Sequence, residues 1–426
     1  MLEQILDLHI HSKYSRACSP ALELPNIARA CRQKGIDIVS AGDFTHPLWF
    51  KHLAENLAEE NEGVYVLRSE IGDQKSKVRF ILSTEISCIY SHGGKTRRIH
   101  LLIFAPALAA AQKFNQALEK RGVNLKADGR PIMGLSAKEI VQICLAIDER
   151  MMVVPAHAWT PWFSVFGSKS GYDSLAECFE EFVPQIHAIE TGLSSDPPMN
   201  RRLSALDNIT LISNSDAHSL DNLGREANVF AFTDYPDITY DRITRIIKTG
   251  NRQKFLYTIE FFPEEGKYHY DGHKDCQVVL SPAESKREGG RCPKCKRPLT
   301  IGVLNRVEEL ADRAAEEIPA GRFIPHRSLV PLREIIAAAF SVGVASKQVA
   351  VEYQRLVKAL GSEFAILLHR SAAEINQMAS TPAIAAGIER VRAGRVTARP
   401  GYDGVFGVVD VLGATRPPAP RQAALL

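Results

Sequence analysis

Up to Glu260, two hydrophobic periods alternate along the chain. Short apolar runs of strand length are followed by stretches whose apolar residues recur three or four positions apart, the mark of a helix packed by one face. The runs predict a first strand leading into Asp7-Leu8-His9-Ile10-His11 and further strands over 36–40, 79–85, 99–104, 152–157, 188–190 and 210–213. Helices are predicted over 25–35, 48–60, 113–122 and 136–148. In the first helix Leu24, Ile27, Ala28 and Cys31 share a face, and Gly35 is the stop. Strand and helix in alternation predict an α/β fold with a parallel barrel, whose chemistry gathers at the C-terminal ends of the strands.

After Glu260 the pattern changes. His273-x-x-Cys276 is followed by Cys292-x-x-Cys295, two tight knuckles joined by a loop long enough to fold back. Paired ligands of this kind suit one tetrahedral zinc, as in a zinc ribbon. His269 lies close enough to compete for the first position. From Val303 onward apolar stripes at helical spacing predict helices over 307–317, 332–340, 346–360 and 362–378, with Ser346 as an N-cap. Arg390, Arg392, Arg395 and Arg399 then lead into Pro400-Gly401-Tyr402-Asp403-Gly404. Such a basic run is a solvated face or a set of phosphate contacts, with Arg392, Arg395 and Arg399 the candidates for DNA. The expected division is a barrel over 1–262, a zinc ribbon over 263–302, a helical domain over 303–413 and a disordered tail over 414–426.

Composition narrows the partners. A formal charge of +3 permits nucleic acid without demanding it. No apolar run approaches the roughly 20 residues that cross a bilayer, and the first strand begins almost at Met1, so a cytoplasmic protein without membrane contact is expected. Cys18, Cys31, Cys88, Cys144 and Cys178 are scattered singly, as in a reducing compartment.

The chemistry lies in what the strands carry. Alternation puts His9 and His11 on one side of a strand. Asp43, Glu85, His100, His157, Glu190, Asp216 and His218 recur near other strand termini. One such carboxylate alone is commonly a helix cap, and one such His a satisfied core residue. Together they would form a crowded, mutually repelling cluster unless cations bind there.

The set Asp7-Leu8-His9-Ile10-His11-Ser12, Glu85, His157 and Asp216-Ala217-His218 resembles the motifs of the polymerase and histidinol phosphatase (PHP) superfamily. Within it, 41–47 (AGDFTHP), 155–167 (PAHAWTPWFSVFG), 167–174 (GSKSGYDS) and 190–200 (ETGLSSDPPMN), with the cysteine cluster and PGYDG, resemble the endonuclease Q family over nearly the whole chain. That resemblance implies a distorted seven-stranded TIM-like barrel with a trinuclear metal site as the catalytic domain over 1–262, and a DNA-binding role for the helical domain over 303–413. It implies nicking on the 5′ side of uracil, hypoxanthine, xanthine and abasic sites, in double- or single-stranded DNA, leaving a 3′-hydroxyl and a 5′-phosphate. It further implies Glu85 as the bridging carboxylate, His9, His11 and Asp216 on one ion, His100 and His157 on a second, and His218 with Asp43 on a third. Zinc suits this donor set, with manganese or magnesium tolerated on the oxygen-rich side. Two departures stand out: 13–17 (KYSRA) lacks the additional His frequent after the H-x-H, and the usual adjacent Asp-His is spread over Asp43-Phe44-Thr45-His46.

Trp159, Trp162, Phe163, Lys169 and Tyr172, in the stretch after His157, are the candidate pocket for a flipped base, or else they pack the barrel rim. Other repair proteins are conceivable partners. Two rival readings are a phosphatase for a small phosphate ester and a non-catalytic DNA-binding module. The ribbon and helical region speak against the first, and the near-complete ligand set against the second.

Overall fold

The computed structural model describes residues 1–71 and 77–413; the tail expected to be disordered lies outside the described residues. Its main sheet is mixed. Strand Leu2–Asp7 runs parallel to Ile38–Ser40, which runs parallel to Arg79–His92. On its other side Leu2–Asp7 is antiparallel to Ala227–Phe232, which pairs with Phe255–Glu260. A separate parallel pair joins Ala188–Glu190 to Thr210–Ile212.

The sequence pattern underestimates one element. Glu85 and His100 were expected at strand ends. Both instead lie inside a long antiparallel hairpin, Arg79–His92 with Lys95–Ala105, in which Glu85 faces Leu102 and Ser87 faces His100. Gly93 and Gly94 make the turn at φ of 59° and 73°, a conformation that glycine adopts without steric cost. Lys95–Ala105 then pairs antiparallel with Met152–Pro155, so strict parallel alternation is broken on this side.

Helices cover the sheet for reasons visible locally. Leu24–Lys34 buries Leu24, Ile27, Ala28 and Cys31, and Gly35 ends it at φ 86°. Ala137–Ile147 starts with a reciprocal Ser136–Glu139 capping box. The helix expected over 48–60 stops earlier: Pro47–Asn56 gives way to strand Leu57–Asn61. In the C-terminal part, Ser346 caps Lys347–Leu360 as expected. The stretch 362–378 is broken into a wide turn, Ala365–His369, and a helix, Ala372–Met378. The helical part reaches back to the sheet through His326–Ser328, parallel to Phe255–Glu260.

A buried ion pair also joins the two parts. Lys34, on the first helix, donates to Glu363 at 3.2 Å. Glu363 also accepts from the Leu332 amide at 2.9 Å and the Tyr353 hydroxyl at 2.8 Å. Burial alone would raise this carboxyl, but Lys34 and these donors outweigh it and hold it below its ordinary value of 4.5. Its stabilisation is therefore complete above that value and is lost as pH falls through the lowered one. Glu363→Ala leaves Lys34 buried and unpaired; urea unfolding should show a loss of about 3–5 kcal/mol at neutral pH. That loss should shrink as pH falls below 4.5 and through the lowered value of Glu363.

Candidate metal centre

His9 and His11 extend from the first strand and are buried, at 1% and 0% exposure. The His9 Nε2 atom has no hydrogen-bond partner. It faces Glu85 at 3.8 Å and Asp216 at 3.6 Å, distances too long for a hydrogen bond. His11 Nε2 lies 3.0 Å from the same Asp216 oxygen and 3.4 Å from Glu85. On the other side of Glu85, His100 Nδ1 lies at 2.7 Å and His157 Nε2 at 2.9 Å. Two donor groups thus share one carboxylate: His9, His11, Glu85 and Asp216, and Glu85, His100 and His157. A buried imidazole nitrogen without a hydrogen bond, facing two carboxylates, is a donor arrangement that fits a divalent cation.

The other expected ligands occupy a layer behind. Asp43 accepts from His11 Nδ1 at 2.9 Å, from the Ser12 amide and hydroxyl at 2.6 and 2.7 Å, and from Ser15 at 2.9 Å. Glu190 lies 3.0 Å from His9 Nδ1 and accepts from the His157 amide and Asn214 at 2.8 Å each. Both carboxylates fix the tautomer of an imidazole that points its other nitrogen at the centre. His218 is in neither donor group but packs edge-on against His11 with centroids 4.7 Å apart, its Nδ1 2.8 Å from the Asp216 carbonyl, and His46 stacks on Tyr14.

The backbone is strained here. Asp43, His157 and Asp216 have φ of 42°, 29° and 46°, rare for residues with a side chain. Gly192, at φ 63°, has no room for a Cβ, which would lie 2.5 Å from that of His157. A guanidinium completes the cluster. Arg130, in the loop after helix Leu108–Glu119, donates to Glu85 at 2.9 Å and remains partly open to solvent. Burial raises Glu85, but His100 and Arg130 outweigh it and hold its carboxyl well below the usual range. Burial pushes His100 down to about 4. Neither Arg130 nor the layer role of Asp43 and Glu190 was legible in the sequence. Arg130 lies in a loop with no periodicity, and Asp43 and Glu190 carry the same strand-end signal as the residues of the two donor groups.

The structure divides the candidate base pocket. Trp159 is buried and donates to Asn200 at 2.7 Å, and Tyr172 is buried against Tyr90 and His92. Trp162 is 37% exposed, Lys169 is exposed, and Phe163 packs on the His100 ring with centroids 4.6 Å apart. Arg392 is turned inward, donating to the carbonyls of Ile366 and Leu367 at 2.7 and 2.8 Å. Arg395 and Arg399 are exposed. No helix among the described residues is long and apolar enough to cross a membrane.

In the cysteine segment, one donor atom each from His273, Cys276, Cys292 and Cys295 lies within 4.8 Å of the others. His269 is buried elsewhere, stacked on Tyr270. Val278, Cys292 and Leu299 make up the buried core of this segment, too little to hold it together alone.

The fold is a mixed α/β one, and it brings together donor groups consistent with a metal centre. Residues 331–395 match the model of the MJ0043 C-terminal domain. The chain is 30% identical over 414 residues to protein YqxK of Bacillus subtilis (strain 168), covering 95% of this chain and 98% of YqxK. It is 31% identical over 256 residues to protein MJ0043 of Methanocaldococcus jannaschii, of which it covers 31%. Two crystal structures match at TM-score 0.83 and 31% identity, over 97% of this chain and 98% of each. One is the lesion-specific endonuclease PfuEndoQ from Pyrococcus furiosus; the other is Endonuclease Q with a 27-mer duplex substrate bearing an abasic lesion at the active site. This chain belongs to the endonuclease Q family.

Cys292→Ser removes a buried donor from the cysteine cluster. Elemental analysis of the purified variant should show one zinc fewer per chain, with the metal held by the histidine–carboxylate centre unchanged. An unchanged zinc count would remove this site.

Proposed function

We propose that the chain is a metal-dependent DNA repair endonuclease that nicks the phosphodiester 5′ to uracil, hypoxanthine, xanthine and abasic sites, leaving a 3′-hydroxyl and a 5′-phosphate. The observation that carries the reading is Glu85, one buried carboxylate shared by two donor groups beside a partly open arginine. The reading assigns the distorted seven-stranded barrel to 1–262, the ribbon to 263–302 and the helical domain to 303–413, in a cytoplasmic protein.

His9, His11 and Asp216 would hold one ion, His100 and His157 a second, and Glu85 both; His218 is the nearest donor for a third. Zinc suits the imidazoles, and manganese or magnesium the carboxylates. Such ions, when bound, supply Lewis acidity toward water and the scissile phosphate. The chain's own residues do the rest. Asp43 and Glu190 keep His11 and His9 in fixed tautomers. Arg130 is placed to hold a non-bridging phosphate oxygen once Glu85 is engaged elsewhere, because its planar fork suits that group. Trp162, Phe163 and Lys169 line the approach. A flipped uracil or hypoxanthine presents a carbonyl next to a ring N–H, the reverse of cytosine and adenine, so one pocket can read both lesions and leave a normal base unpaired. Arg395 and Arg399 are exposed candidates for phosphate contacts outside the cleft.

The test is a gel of end-labelled duplexes carrying uracil, hypoxanthine, an abasic site or normal bases, with and without divalent metal. Asp216→Asn should abolish nicking at all lesions while the unfolding midpoint stays near wild type. Wild-type turnover by that variant would overturn the centre. Activity on a nitrophenyl phosphate but on no lesion would favour a phosphatase.

Arg130→Ala should lower the nicking rate by about 10²-fold. Metal stoichiometry should be retained, and inorganic phosphate should inhibit the variant more weakly than wild type. Inhibition by phosphate at the wild-type concentration would place the phosphate elsewhere.

A further inference from the structure

The stretch after His157 is an ordered loop held from two sides. Its internal bonds include the amides of Phe166 to Ala158, Lys169 to Pro161, Gly171 to Gly167 and Tyr172 to Val165, at 2.7–2.9 Å. The long hairpin holds one side. The His100 amide donates to Phe163 at 2.9 Å, the Arg98 amide to Ser170 at 3.3 Å, and the Arg97 side chain donates to Gly171 and stacks on Tyr172.

Arg306 holds the other side. It lies on helix Val303–Leu310, just past the cysteine segment, and is only 7% exposed. Its Nε donates to the Phe166 carbonyl at 3.0 Å, and its Nη2 to the Tyr172 carbonyl at 3.2 Å and the Asp173 carboxylate at 2.5 Å. One rigid fork therefore spans both ends of the inner half of the loop.

The helix that carries Arg306 is fixed by the cysteine segment. Asp271, fully buried and two residues before the candidate ligand His273, accepts from the Gly302 amide at 2.7 Å and from the Asn305 side chain. The Val303 amide donates to Tyr268 at 2.7 Å. A Cβ on Gly302 would lie 2.5 Å from the Tyr270 carbonyl, so the contact is too close for any other residue. Independently, the Tyr268 ring meets Trp162 edge-on with centroids 5.7 Å apart.

We propose that Arg306 is a positioning residue that couples the cysteine segment to the lesion-facing loop, so that metal held by His273, Cys276, Cys292 and Cys295 sets the order of residues 158–173. Coupling to loop order stands on the geometry alone. Its consequence for lesion choice rests on the proposed function.

Hydrogen exchange on the full chain tests it. Arg306→Lys keeps the charge but offers one point in place of the fork. Arg306→Lys and Cys292→Ser should each speed exchange at the amides of Phe166, Lys169, Gly171 and Tyr172 by about tenfold. Exchange at Ile103 and Phe104 in the sheet should stay at the wild-type rate. The double variant should be no faster than the faster single one, since both changes open the same link. Unchanged loop exchange in Cys292→Ser, or effects that multiply in the double variant, would overturn the coupling. Nicking by Arg306→Lys should fall more at uracil than at an abasic site. Faster exchange with equal losses on both substrates keeps the coupling and removes the loop as base reader.

Discussion

One buried carboxylate sets the conditions for everything around it. Glu85 has no access to water and is approached by His11, His100, His157 and Arg130 within 3.4 Å. A charge in that position is stable only if cations answer it. The hairpin supplies the rigidity: Glu85 is mid-strand, paired with Leu102 two residues from His100 on the partner. A donor at a frayed strand end would drift by more than a metal site tolerates. The hydrophobic pairing of the hairpin therefore decides the geometry of the polar centre.

The outer layer follows from that constraint. Imidazoles that must offer one nitrogen inward need the other nitrogen fixed, and Asp43 and Glu190 do this. Asp43 itself is gripped by Ser12 and Ser15, close in sequence to His11. Positive φ recurs at Asp43, His157 and Asp216, on three separate chain turns around the centre. Arg225 steadies one of these turns by donating to the Ser215 carbonyl at 2.9 Å.

Legibility in the sequence followed the reach of each signal. Helices with a one-face stripe and a stop residue, such as Leu24–Lys34 before Gly35, were readable because everything that makes them is local. His9, His11, Glu85, His100, His157 and Asp216 were readable as donor types. Their grouping was not, because Glu85 joins His9 across the sheet only after folding. Asp43 and Glu190 look like ligands in one dimension, and depth is a three-dimensional property. The same limit applies to the aromatics after His157: Trp159 and Trp162 are three residues apart, yet one ring is in the core and the other in the open. The Gly93-Gly94 pair was a local signal for a hairpin, but Gly-Gly also marks loops, so it did not force the longer strands.

A formal charge of only +3 leaves little long-range pull on a polyanion. Affinity of the proposed nuclease for DNA must then come from cations placed locally. Arg97 lies over Tyr172 and Arg98 within 5.9 Å of the Phe163 ring, on the loop, while Arg130 lies on Glu85. Arg97 also serves the fold through Gly171, as Arg306 does through Phe166 and Tyr172. Guanidinium suits such double duty, because a planar fork can bond carbonyls with one edge and keep a face or an edge for a ring or a phosphate. Arginine therefore holds the loop from both flanks, Arg97 on the hairpin side and Arg306 on the cysteine-segment side. A lysine at either place would keep the charge and loosen the geometry.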